Sequence, residues 1–119
     1  MNNEQYKEIM ERLDFIEFRQ ELMFNNKDID RSIFEYKITR SQFNDIMDLM
    51  DKYRNLIENG TNCSHHSFES DMYKILPEHD GDYHMCEEIA INFFVDGRWE
   101  EVFDTLYGNM PKYSYLKRG

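Results

Sequence analysis

The chain has 119 residues, 40 % hydrophobic and 15 % aromatic, with a formal net charge of −10. That is the size of one domain, too apolar for a disordered chain, and too acidic to bind a nucleic-acid polyanion directly through its body. No apolar run approaches a membrane span, and the start "MNNEQYKEIMERLD" lacks the pattern of a secretory signal, so no membrane contact and a cytoplasmic home are expected.

The first predicted element is a long helix over about Asn3–Asn25. Tyr6, Ile9, Met10, Leu13, Ile16 and Met23 mark one side at three- and four-residue spacing. Phe15, Phe18, Leu22 and Phe24 widen the apolar surface beyond that stripe. This is more apolar surface than one contact needs, so self-association is expected, as a dimer, with Phe15, Phe18, Leu22 and Phe24 as the interface. A short helix follows over about Asp30–Lys37. Thr39-Arg40-Ser41-Gln42 has the capping-box form, with Ile38 and Phe43 at the staple positions. The helix it opens carries Phe43, Ile46, Met47, Met50, Tyr53 and Ile57 on one face and stops at Asn59-Gly60.

"TNCSHHS" reads as a loop, with Ser67 capping a short helix that bears Phe68, Met72, Ile75 and Leu76 and ends at Pro77. After the turn "EHDGD", a helix over about His84–Asp96 buries Met85, Ile89 and Phe93. A last helix over about Arg98–Tyr107 presents Trp99, Val102, Phe103 and Leu106. The two are joined near Gly97 as a helical hairpin. No stretch alternates as a strand does. The fold expected is all-α: a single small domain over residues 1–110, of five or six helices, with a long N-terminal helix and a C-terminal helical hairpin. A basic tail over 111–119 is expected to fray or to dock on the acidic body.

The four histidines and two cysteines all lie between Cys63 and Cys86. A zinc site would have to draw on Cys63, His65, His84 and Cys86. The pairs Cys63/His65 and His84/Cys86 match no paired-ligand template, and residues two apart on a helix point away from each other. Calcium fares no better: a loop counted from Glu78 puts Tyr83 where the glycine belongs and Ile89 where the bidentate glutamate belongs. No metal and no other cofactor are expected. The chain carries no phosphate-binding or nucleophile-elbow motif, and its adjacent acids point different ways on helices, so no enzymatic activity is expected. The cysteines are expected to be reduced thiols.

Charge is the stronger signal. Residues 69–104 hold two Lys/Arg against eleven Asp/Glu, a net −9. An acidic face of this kind speeds encounter with basic partners. Glu69, Asp71, Asp80, Asp82, Glu87, Glu88, Glu100, Glu101 and Asp104 are the expected contact residues. The partner expected is a protein with a basic surface, such as a nuclease, a toxin or a DNA-binding regulator, and the role that of a small regulator or inhibitor. The alternative is a homo-oligomeric structural or adaptor protein working through the N-terminal helix.

The order "MERLDFIEFRQELM" (Met10–Met23), "IFEYKITRSQFNDIMDLMDKYRNL" (Ile33–Leu56), Phe68 and "CEEIAINFFVDGRWEEVFDTLY" (Cys86–Tyr107) resembles a family of small all-helical proteins of unknown function from spore-forming Gram-positive bacteria and their prophages. The resemblance covers about residues 8–110. It implies an all-α fold and a cytoplasmic home and carries no catalytic residues; the antitoxin-like or phage-encoded inhibitor role is the expectation drawn from the acidic charge.

Overall fold

Capping chemistry sets most of the element boundaries in this chain. A computed structural model describes residues 2–116, and among them there is no strand. Six α-helices run in order: α1 (Asn3–Asn25), α2 (Asp28–Glu35), α3 (Arg40–Glu58), α4 (His65–Ile75), α5 (Tyr83–Val95) and α6 (Glu100–Leu106), with short 3-10 helices at Pro77–His79 and Pro111–Leu116.

The start of α1 is a capping box in which the Asn2 side chain accepts from the Gln5 amide and the Gln5 side chain accepts from the Asn2 amide. Thr39 and Gln42 form the expected box at α3, with Ile38 and Phe43 both buried beside it. The ends of α3 and α5 are Schellman motifs: Gly60 (φ +76) bonds Ile57 while Thr61 bonds Leu56, and Gly97 (φ +77) bonds Phe94 while Arg98 bonds Phe93. Both glycines occupy the left-handed position a side chain would strain.

One boundary differs from expectation. Ser64, not Ser67, caps α4: its hydroxyl accepts from the Ser67 amide, so the helix starts earlier and takes in His65 and His66. A second difference is at α6, which begins at Glu100 because Trp99 sits at φ +50, a conformation costly for a bulky residue. Two contacts hold it there. The indole Nε1 donates to Asp51 Oδ1 at 2.9 Å, and the ring meets Phe93 edge-on at 4.9 Å.

Helix α1 packs on α2, α2 on α5, α3 on α4 and α6, and α5 on α4 and α6. Phe43 stacks on Phe93, and Tyr53 and Tyr107 meet Phe68 edge-on, tying α3, α4, α5 and the end of α6 into one core. From α1 that core receives only Phe18 and Leu22. A chain of this length has an expected radius of gyration of about 13–14 Å if compact; the observed 16.1 Å, with extents of 59 × 28 × 24 Å, shows elongation. The cause is α1, about 34 Å long by its 23 residues. Its C-terminal third lies on the body, and residues 3–14 are exposed throughout.

The tail docks. Lys112 Nζ and Tyr113 Oη both reach Glu87 Oε2, at 2.6 and 3.0 Å, and the Tyr113 ring meets Phe103 edge-on. Lys117 and Arg118, the other basic residues of the tail, lie outside the described residues. No described helix is long and apolar enough to cross a membrane.

Candidate functional site

Two surfaces stood out in the sequence, and the fold treats them differently. The first is the acidic segment. Glu69 and Glu87 are buried. Glu69 Oε2 accepts from the Tyr107 hydroxyl at 2.7 Å, with His65 Nδ1 at 3.4 Å. Glu87 holds the C-terminal tail. Asp71 accepts from the Tyr53 hydroxyl at 2.8 Å and lies 3.6 Å from Lys52 and 3.5 Å from Lys74. Burial alone would raise the Asp71 pKa, but the Tyr53 hydrogen bond and the two ammonium groups outweigh it and hold it below the usual carboxylate value. Asp82 caps α5 through the Met85 amide. Glu88 is half-buried beside Tyr36; burial first and the Glu88 charge second push that phenol up to about 12.

These acids therefore do not form one continuous face. Glu69, Asp71, Asp82 and Glu87 serve as internal acceptors, and Asp80, Glu101 and Asp104 are exposed. Glu100 is half-buried. The expectation that all nine meet a partner is corrected for Glu69 and Glu87, whose buried carboxylates are turned inward, Glu69 onto the buried Tyr107 hydroxyl and Glu87 onto Tyr113 and Lys112 of the tail.

The metal set Cys63, His65, His84 and Cys86 is not assembled. Cys86 is fully buried, and burial first and the Glu69 charge second push its thiol up to about 12. Cys63 Sγ points at the Thr61 carbonyl, and the His84 ring lies on Tyr83. Among the described residues the group with metal-ligand proximity is a different one, His65, His66 and Glu69. Its Glu69 Oε2 is already held by Tyr107, and all three sit in the first turns of α4, where the helix dipole opposes a cation.

The second surface is α1, and here the two sides of the helix exchange roles. Phe18 and Leu22, expected at a self-association interface, are buried in this chain's own core, and Phe15 is half-buried under the Arg19 guanidinium. Phe18 and Leu22 cannot also face another molecule. Phe24, from the same expected set, is 89 % exposed. The opposite side carries Tyr6, Ile9, Met10, Leu13, Ile16 and Met23, each 45–64 % exposed. Arg19 fixes which way the helix is turned: its guanidinium donates to the Phe34 carbonyl at 2.9 Å and lies 3.7 Å above the Phe34 ring. Arg40 adds ion pairs to Asp14 and Glu21 at 3.2 and 2.7 Å. With these anchors in place the long stripe points to solvent.

No family model matches this chain, and no curated protein or solved structure matches it either. The functional reading therefore stands on the geometry of these two surfaces.

Proposed function

We propose that this protein is a self-associating helical adaptor, and that the exposed stripe of α1 is its contact surface. One observation carries the reading: seven large apolar side chains, the stripe with Phe24, stand exposed on one helix of a folded protein. Together they present on the order of 800 Å² of apolar surface, above the roughly 300–600 Å² of the largest patch on an ordinary monomer and near the roughly 800 Å² each partner contributes to a standard interface.

Helix energetics support the same reading. An isolated helix shorter than about 12–15 residues is marginal in water, and helices in proteins draw most of their stability from packing an apolar face. Residues 3–13 of α1 have an N-terminal capping box and an exposed Glu8–Arg12 ion pair at 3.3 Å, but no burial against the body. A cap and one exposed pair contribute only about 1–2 kcal/mol. Docking of the stripe supplies what is missing.

The regulator or inhibitor reading, in which acids meet a basic partner, retains Asp80, Glu101 and Asp104 on the surface and loses Glu69 and Glu87 to the interior. It has the weaker support. Light scattering over a concentration series tests the adaptor: the mass should exceed the 14.6 kDa of one chain and rise with concentration. A fixed single-chain mass at high concentration would remove the basis of the proposal.

A further inference from the structure

The exposed stripe also has a regular repeat. Tyr6, Ile9, Leu13, Ile16, Gln20 and Met23 follow one another at intervals of 3, 4, 3, 4 and 3 residues. That is the a/d alternation of a heptad, with Tyr6, Leu13 and Gln20 at a and Ile9, Ile16 and Met23 at d. Phe18 and Leu22, which the body covers, fall at f and c on the far side of the helix. One helix thus carries two seams, one filled by its own chain and one facing outward with coiled-coil periodicity.

We infer that α1 pairs with α1 of a second copy in a parallel, in-register coiled coil. The inference rests on the self-association reading and specifies its polarity. The apolar area matches what a stable pair needs, and the flanking charges choose the direction. In a parallel pair each g position faces the e position of the next heptad on the other helix. Arg12 at g then meets Glu17 of the second copy, and the two-fold axis makes that pair twice. Both residues are exposed, and the present partner of Arg12, Glu8, is a solvent-screened neighbour on the same helix. The other arginine at a g position, Arg19, stays with its own body on Phe34. In the antiparallel pair of equal overlap, g flanks g, and Arg12 approaches Arg19 of the second copy.

The seam's one polar layer points the same way. In parallel register Gln20 meets Gln20, and the two amides can hydrogen-bond across the seam. In antiparallel register Gln20 sits on Ile9 and its amide is left against an apolar side chain. The body contacts of α1 lie at b, c and f and, through Arg19, at one g position, away from the a/d seam, so a parallel pair carries both bodies outward at one end.

Disulfide trapping decides the polarity. In a Cys63→Ser background, with Cys86 buried, Tyr6→Cys introduces one exposed thiol at a position the body does not touch, so the thermal melt of the body is expected to stay unchanged. On oxidation Tyr6→Cys should link to itself rapidly and nearly completely, while a mixture of Tyr6→Cys and Met23→Cys should give no 6–23 product above background. In the antiparallel pair two position-6 thiols lie about 25 Å apart, and the 6–23 product would dominate. That result would overturn the parallel assignment and leave the adaptor standing. No cross-link together with a single-chain mass would overturn both. As a second readout, Arg12→Glu should weaken association about three- to tenfold, and Arg12→Glu with Glu17→Arg should restore it; failure of the double variant to restore it would also count against the parallel pair.

Discussion

Replacing Leu13 by aspartate puts a charge at the centre of the exposed stripe and leaves the body alone. Leu13 is 53 % exposed in the single chain, which corresponds to roughly 100 Å² of apolar surface and about 2.5 kcal/mol if it is fully covered. Two copies lose that burial together, about 5 kcal/mol, and each must also bury or displace a carboxylate. The expected weakening of association is on the order of a thousandfold or more. The same change should leave the core nearly untouched, within about 0.5 kcal/mol, because an exposed substitution far from the body has no contact to lose. Sedimentation equilibrium reads the first quantity and denaturant unfolding, done where both proteins are single chains, reads the second. An unchanged association constant would refute the reasoning. A collapse of body stability would refute the placement of Leu13 on an outward face.

Other outcomes follow from the buried hydrogen bonds. Tyr107→Phe removes the donor on Glu69 Oε2 at a fully buried site; a hydrogen bond to a charged group makes this cost about 1.5–3 kcal/mol and lowers the melting temperature by about 6–12 °C. Alkaline pH should destabilise the fold from near pH 10 upward. Burial pushes Tyr53 up to about 12 and Tyr107 higher still, against an ordinary 10, so the unfolded chain releases protons that the folded chain keeps. The stability from these phenols is complete below pH 10 and falls by about 1.4 kcal/mol per unit for each buried ring above it. Tyr107→Phe should flatten that slope, measured as unfolding free energy from pH 9 to 11.5, and an equal slope in the variant would count against the assignment. A thiol reagent at neutral pH should label Cys63 quickly and Cys86 only on unfolding, since the Cys86 thiol is fully buried and raised to about 12; two fast thiols would contradict the packing of α5.

The parts of the fold readable in the sequence were those set by local chemistry. The capping box at Thr39–Gln42, the glycine stops at Gly60 and Gly97, and the length of α1 all depend on residues within a few positions of each other, and periodicity reports them directly. The start of α4 was displaced because Ser64 and Ser67 are both competent caps three residues apart, and in the fold the Ser67 hydroxyl is taken up by the Ser64 carbonyl and Tyr53 while Ser64 caps the helix. Composition could not say which acids face inward. Glu69 and Glu87 are drawn in by Tyr107, Lys112 and Tyr113, residues 25 to 38 positions away.

The two sides of α1 were the hardest part. Both are apolar, and which one meets the body is decided by Arg19 on Phe34 and Arg40 on Asp14 and Glu21, contacts no local pattern announces. A usable signal was present in the sequence. The stripe through Tyr6, Leu13 and Met23 keeps a strict three–four alternation across the helix, with a polar Gln20 in it, as a seam between copies does. Phe15, Phe18 and Leu22 cover only the short stretch that one body contact needs.

Hydrogen exchange of the α1 backbone, followed against protein concentration, tests the central claim most directly. Residues 6–13 make no body contact that would hold their helix, so at dilution their amides should exchange nearly as fast as in a free peptide. At high concentration they should become protected together, while α3 and α5 stay protected throughout. Protection of residues 6–13 that is the same at every concentration would contradict the claim that this face of the helix is covered by another copy.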